Sequence, residues 1–192
     1  MLDPDPRFRL LQYFDVYGKY HVDDQGHVHV KGDVKLKLPT SELGITFATI
    51  TGDFEAHNQG LQSLKGFPSH LGGDLLLMDN ALVDLRDAPK HVVGKVVVDQ
   101  RNHPLTSLVG MSSHVGNFVN VRWHANLPLL RLLVAPHIYV VVSRYITLED
   151  YRLSVECEKI LNDPRWVGKG KQGMLNCALE LKRAGFVGNA AW

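Results

Sequence analysis

The chain repeats itself. Six segments align on one pattern of alternating apolar positions around a glycine: 30-VKGDVKL-36, 50-ITGDFEA-56, 71-LGGDLLL-77, 92-VVGKVVV-98, 115-VGNFVNV-121 and 138-IYVVVSR-144. One apolar column reads Val34, Phe54, Leu75, Val96, Val119 and Val142, with spacings of 20, 21, 21, 23 and 23. A second column follows each segment: Leu43, Leu64, Leu85, Leu108 and Leu130. A unit of about 21 residues is too short to enclose a core of its own. Units of that size bury their apolar face only by stacking on their neighbours, which makes the fold a solenoid.

Within a unit, alternation of period two over seven residues predicts a strand with every second side chain on one face. In 73-GDLLLMDNALVDL-85 the pair Leu82 and Leu85 then turns the chain back over the same core. Gly32, Gly52, Gly73 and Gly94 recur at one position of the strand, where a glycine marks a bend or a close neighbouring segment. Asn117 and Val140 replace it later, so the last two turns are expected to be less bent. The expected architecture is α+β: a short, irregular solenoid of about six strand turns over residues 20–145, with helical caps over 1–19 and 146–192. Caps are needed because the first and last turns of a solenoid expose core.

At the N-terminus, Phe8, Leu11 and Phe14 stand near helical spacing. The stretch 20-YHVDDQGHVHV-30 reads as a hairpin turning at Asp23-Asp24-Gln25-Gly26. After Arg144 the pattern becomes helical. Thr147 with Asp150 has capping-box spacing, and Leu153, Cys157 and Ile160/Leu161 form a stripe that Pro164 interrupts. A second helix over about residues 171–183 carries Leu175, Ala178, Leu179 and Lys182, with Gly185 as its C-terminal stop.

The unit Leu75, Leu77, Asn80, Leu82, Leu85 resembles a leucine-rich repeat. That resemblance implies an Asn that closes the turn after the strand by bonding neighbouring backbone. The other turns depart from it, with Gln59 and Arg101 in the Asn position. The order GHVHVKGDVKL, FATITGDF, LQSLKGFPSHLGGDL, the matching arm LTSLVGMS and the tail GKGKQGMLNCALELKRAGFVGNAAW is similar to a family of bacteriophage leucine-rich-repeat-like proteins. The resemblance covers roughly residues 20–192. It implies ancestry and scaffold and brings no defined activity, because the members are mostly uncharacterised.

Formal charge is +1, which creates no field to attract nucleic acid or an anionic membrane. No apolar run approaches the roughly 18–20 residues of a membrane span, and the start MLDPDPRFRL lacks the apolar core of a signal peptide. Two cysteines, Cys157 and Cys177, fit a reducing compartment better than a disulfide scaffold, and both lie on apolar helix faces as inert thiols. VGKGKQG lacks the order of a phosphate loop and sits between two helices, which leaves Lys169 and Lys171 as solvated loop residues. His70, His91, His114 and His137, with His29, recur along the strands. They lack carboxylate or thiol companions at ligand spacing, so a polar column in contact with water is the simpler reading. Asp33, Asp53 and Asp74 read as an exposed ladder, short of the oxygens a Ca²⁺ site needs. No catalytic residue, metal or cofactor is expected, and the protein is not read as an enzyme.

What stands out is the outward strand face. Leu76, Met78, Val93, Val97, Phe118, Tyr139 and Val141 make it too apolar for a solvated sheet. Such patches mark a protein partner, unless a terminal helix folds back over them. The expected function is non-enzymatic protein binding by a phage-encoded protein in the host cell cytoplasm, inhibiting or modulating a host or phage protein. The alternative is a virion-associated structural protein. Neither a membrane nor a specific nucleic acid is expected as a partner.

Overall fold

The computed structural model describes residues 5–99, 105–134, 139–143 and 148–192, with backbone only at 134, 139–143 and 148–151. Helix α1 (Pro6–Tyr13) leads into strand β1 (Phe14–Val22), which turns into β2 (Val28–Leu36). The two strands pair antiparallel through nine positions, from Phe14↔Leu36 to Val22↔Val28. Asp23 closes their turn by accepting from the backbone N–H of His27 at 2.8 Å and of Gln25 at 3.0 Å. The predicted hairpin is therefore present, and it is longer than its sequence signal. Residues 14–19 already belong to a strand.

From β2 onward every pairing is parallel. Each following turn carries two short strands: β3 (Phe47–Ile50) and β4 (Phe54–Glu55), β5 (His70–Leu71) and β6 (Leu75–Leu76), β7 (His91–Val92) and β8 (Val96–Val98), β9 (His114–Val115) and β10 (Phe118–Arg122). A 3-10 helix (Leu129–Val134), β11 (Tyr139–Ser143), α2 (Leu148–Leu161) and α3 (Gly170–Arg183) complete the chain. The protein is a parallel β-solenoid of about four turns with an N-terminal helix and two C-terminal helices. Six copies of the motif give fewer turns because the first lies in the hairpin strand β2 and the last supplies the single strand β11.

The seven-residue segments are not straight strands. In the four turns after β2 the chain bends between the paired strands, at Gly52-Asp53, Gly73-Asp74, Gly94-Lys95 and Gly116-Asn117, so the solenoid has two faces meeting at a corner. One holds β3, β5, β7 and β9 and the other β4, β6, β8, β10 and β11, while β2 runs through both. The recurrent glycine is explained by the aspartate one turn earlier. Asp33, Asp53 and Asp74 accept from the backbone N–H of Asp53, Asp74 and Lys95, at 2.9, 2.7 and 2.9 Å. A Cβ on Gly52, Gly73 or Gly94 would lie 1.9, 2.2 or 2.0 Å from that same carboxylate oxygen. The aspartates are thus corner braces and not a free ladder. Where Lys95 replaces the aspartate, the next turn carries Asn117 and not glycine. That turn still breaks between β9 and β10. Gly116, one residue earlier, lets it approach Val93, whose carbonyl oxygen a Cβ would meet at 2.0 Å.

The core is the column read from the sequence. Val34, Phe54, Leu75, Val96 and Val119 face inward with Leu43, Leu64, Leu85, Leu108 and Leu130 of the return arms, all buried. Leu61, Leu82, Leu105 and Leu127 add a second buried arm column. Val142 falls where side chains lie outside the described residues.

Two of the three capping helices, α1 and α3, leave expected apolar positions exposed. In α1 the buried side chains are Leu10 and then Phe14, while Phe8 and Leu11 are exposed. The helix is pinned to the first return arm by Arg9, whose Nε donates to the Leu43 carbonyl at 3.0 Å and whose Nη2 donates to Thr40 Oγ1 at 2.9 Å. In α2, Cys157 and Leu161 are buried as read, with Leu153 and Ile160 half-buried; Thr147 lies outside the described residues. In α3 the buried line is Gly173, Cys177 and Leu181, and Leu175 and Leu179 point outward. Gly185 ends α3 with a φ of 88°, as its position suggested.

Candidate protein-binding surface

The outward side chains divide between the two faces. On the face of β4, β6, β8 and β10, cross-strand register gives the column Glu55, Leu76, Val97, Asn120. The column opens on an ion pair, with Lys35 Nζ 2.8 Å from Glu55 Oε1. It then becomes apolar at Leu76 and Val97, both half-buried, and returns to polar at Asn120. Val141 is next in register beyond Asn120. Met78, two residues beyond Leu76, is half-buried on the same face. The pair Arg122 and Asp99, 2.7 Å apart, stands beside this apolar area.

Phe118 does not continue the Leu76–Val97 column. Register places it two residues toward the corner, where it pairs with Tyr139. A single strip of Leu76, Val97, Phe118 and Tyr139 is therefore replaced by two patches on one face. Phe118 is half-buried, and the side chains of Tyr139 and Val141 lie outside the described residues. Val93 is on the other side of the corner, 56% exposed, in a column with Thr51, Gly72 and Gly116. The seven residues thus do not form one site. Leu76, Met78 and Val97 come together, Phe118 borders them, and Val93 faces elsewhere.

The Val93 face carries a feature the sequence showed only as a spacing. His70, His91 and His114 are in cross-strand register and stack ring on ring, with centroids 5.9 and 4.3 Å apart and planes within 27° and 11°. Thr49 continues the column to His29, whose Nδ1 lies 3.1 Å from Thr49 Oγ1, and His29 stacks on His21 at 4.5 Å. His137 lies outside the described residues. A metal ion must lie near the plane of each imidazole that binds it. Near-parallel rings stacked this closely share no such point, and among the described residues no group of three metal-ligating side chains is assembled. The stack presents ring edges to solvent at about the 4.8 Å strand spacing.

Both thiols are fully buried. Burial pushes both Cys157 and Cys177 up to about 12, far from the thiolate form that reactivity needs. No helix among the described residues is long and apolar enough to cross a membrane. Helix α1 packs on β1, α2 on β11 and α3 on the 3-10 helix, so the helices dock at the two ends of the array. Comparison with known proteins finds no matching family model, curated protein or solved structure.

Proposed function

We propose that the protein is a phage-encoded, non-enzymatic binding module of the leucine-rich-repeat-like kind. It acts in the cytoplasm of an infected cell by holding a host or phage protein and inhibiting or modulating it. The observation that carries this reading is the apolar pair Leu76 and Val97, side by side on the outer face with Met78 and bordered by Phe118, away from the ends where the helices dock. An apolar centre rimmed by charged pairs such as Lys35–Glu55 and Asp99–Arg122 is the composition of a protein interface. Asn80 supports the family reading. Its Nδ2 donates to the carbonyls of Ala56 and Met78, and its Oδ1 accepts from the N–H of Gln59 and Leu61, which is how that family closes its turn.

The test is affinity capture from infected cells, comparing the natural chain with Val97→Asp and Phe118→Asp. Both variants are expected to keep the circular dichroism and melting of the parent and to lose the captured protein. Capture that survives both changes overturns this surface. Stoichiometric recovery of the chain in purified virions replaces the reading with a structural role in the particle.

A further inference from the structure

We infer that the N-terminal end of the solenoid binds a second copy of this chain, head to head, through antiparallel pairing of β1 with β1. Among the described residues β1 pairs with β2 alone, so its other edge is open along nine residues. An open edge of that length is a template for another strand. The end of the core is also incompletely covered there. Register with β2 places Phe14, Val16, Tyr20 and Val22 on the inward side, opposite Leu36, Val34, Val30 and Val28. Phe14 is buried against Phe47 and Phe54, but Val16 and Val22 are half-buried and Tyr20 is 38% exposed. On α1, Phe8 is 72% and Leu11 59% exposed.

The sequence FDVYGKYHV is complementary to itself when Gly18 lies on a two-fold axis. Phe14 then faces Val22 of the second copy, and Val16 faces Tyr20, which joins the inward columns of the two copies into one core. On the outer side Asp15 faces His21 and Tyr17 faces Lys19. This register keeps inward residues opposite inward residues, as any pairing that buries one face must. It also sets the bend of one strand against the bend of the other. Gly18 is the corner of β1, paired with the corner glycine Gly32, at φ of 150° and 145°. A two-fold interface is the commonest way identical chains close an assembly.

The experiment is sedimentation over a dilution series with three variants at exposed positions. The natural chain is expected to form a dimer. Tyr17→Lys sets lysine against Lys19 of the other copy twice over, and should weaken the dimer by about tenfold. Adding Lys19→Glu to it replaces both repulsions with attractions and should restore the dimer. Lys19→Glu alone should remain dimeric. None of the changes opposes the fold, because residue 17 pairs with Asp33 and residue 19 with Lys31 on β2; circular dichroism should match throughout. A natural chain that stays monomeric, a dimer indifferent to Tyr17→Lys, or a double variant that stays monomeric overturns the inference. Species growing past two copies with concentration do so as well, since they mean head-to-tail stacking.

Discussion

Leu75, Leu76 and Leu77 are consecutive and chemically identical, yet the first and third are buried while the second is half-buried on the outer face. Leu75→Ala and Leu77→Ala should each destabilise by roughly 2–5 kcal/mol, the range for large-to-small changes in a core. Leu76→Ala should cost clearly less. Chemical denaturation of the three variants checks this, and equal losses at Leu76 and Leu77 would contradict the face assignment. The corner brace offers a second comparison. An alanine at Gly94 must push aside the Asp74 carboxylate that holds the N–H of Lys95. Gly94→Ala is expected to cost about 1–3 kcal/mol in the natural chain, as overpacking does. In an Asp74→Ala background it should cost less. A double-mutant cycle measures that coupling, and additive losses would mean the two residues do not share the space.

At the scale of elements, what the sequence disclosed depended on how strictly the chain obeyed a period. The inward strand column and the leucine arms recur at near-constant spacing, and both are buried as expected wherever their side chains are described. The corner was only half visible. Glycine signalled a bend, but the partnership of each glycine with the aspartate of the preceding turn requires knowing that turns stack in register. The stripe read for α3 misled because leucine outweighs small residues in any reading of an apolar stripe. In α3 the buried line runs through Gly173, and an added Cβ there would meet the Trp166 carbonyl oxygen at 2.3 Å. Close approach, not side-chain size, selects that face, and Leu175 and Leu179 are left outside. The same packing encloses the thiols of α2 and α3. Their pKa values are raised from 9.0 to about 12 by burial. The unfolded chain therefore loses those protons first, and stability falls as pH rises from about 9 toward about 12. Replacing Cys157 and Cys177 with alanine should flatten that part of the stability curve. Thiol-directed reagents at neutral pH should label the natural chain only after denaturation. Prompt labelling of the folded protein would show the cysteines to be accessible.

Over the whole molecule the parallel turns contact mainly their neighbours, so stability is close to a sum of local terms and the ends are its weakest part. The C-terminal end is closed by a residue with no sequence signal. Asn189 is buried, and its Nδ2 donates to the carbonyls of Leu127 and His124 at 2.8 and 3.0 Å. Its Oδ1 accepts from Trp123 Nε1 at 3.2 Å, and its backbone carbonyl accepts from the N–H of Leu129 at 3.2 Å. These bonds join the chain's last residues to the arm that follows β10, more than sixty positions earlier, a separation no local pattern reveals. Asn189→Ala takes the side-chain donor from the Leu127 carbonyl and the acceptor from the Trp123 indole N–H, while the His124 carbonyl keeps the N–H of Leu127; each buried group that stays unsatisfied costs about 1–3 kcal/mol. In a two-state globule such a loss would raise hydrogen exchange everywhere that opens globally. In a solenoid it should be confined by the nearest-neighbour coupling. Exchange is expected to quicken in β10, the 3-10 helix and α3 while the amides of β3 to β6 keep their protection. Uniform loss of protection along the array would mean that the turns and caps unfold as one cooperative unit.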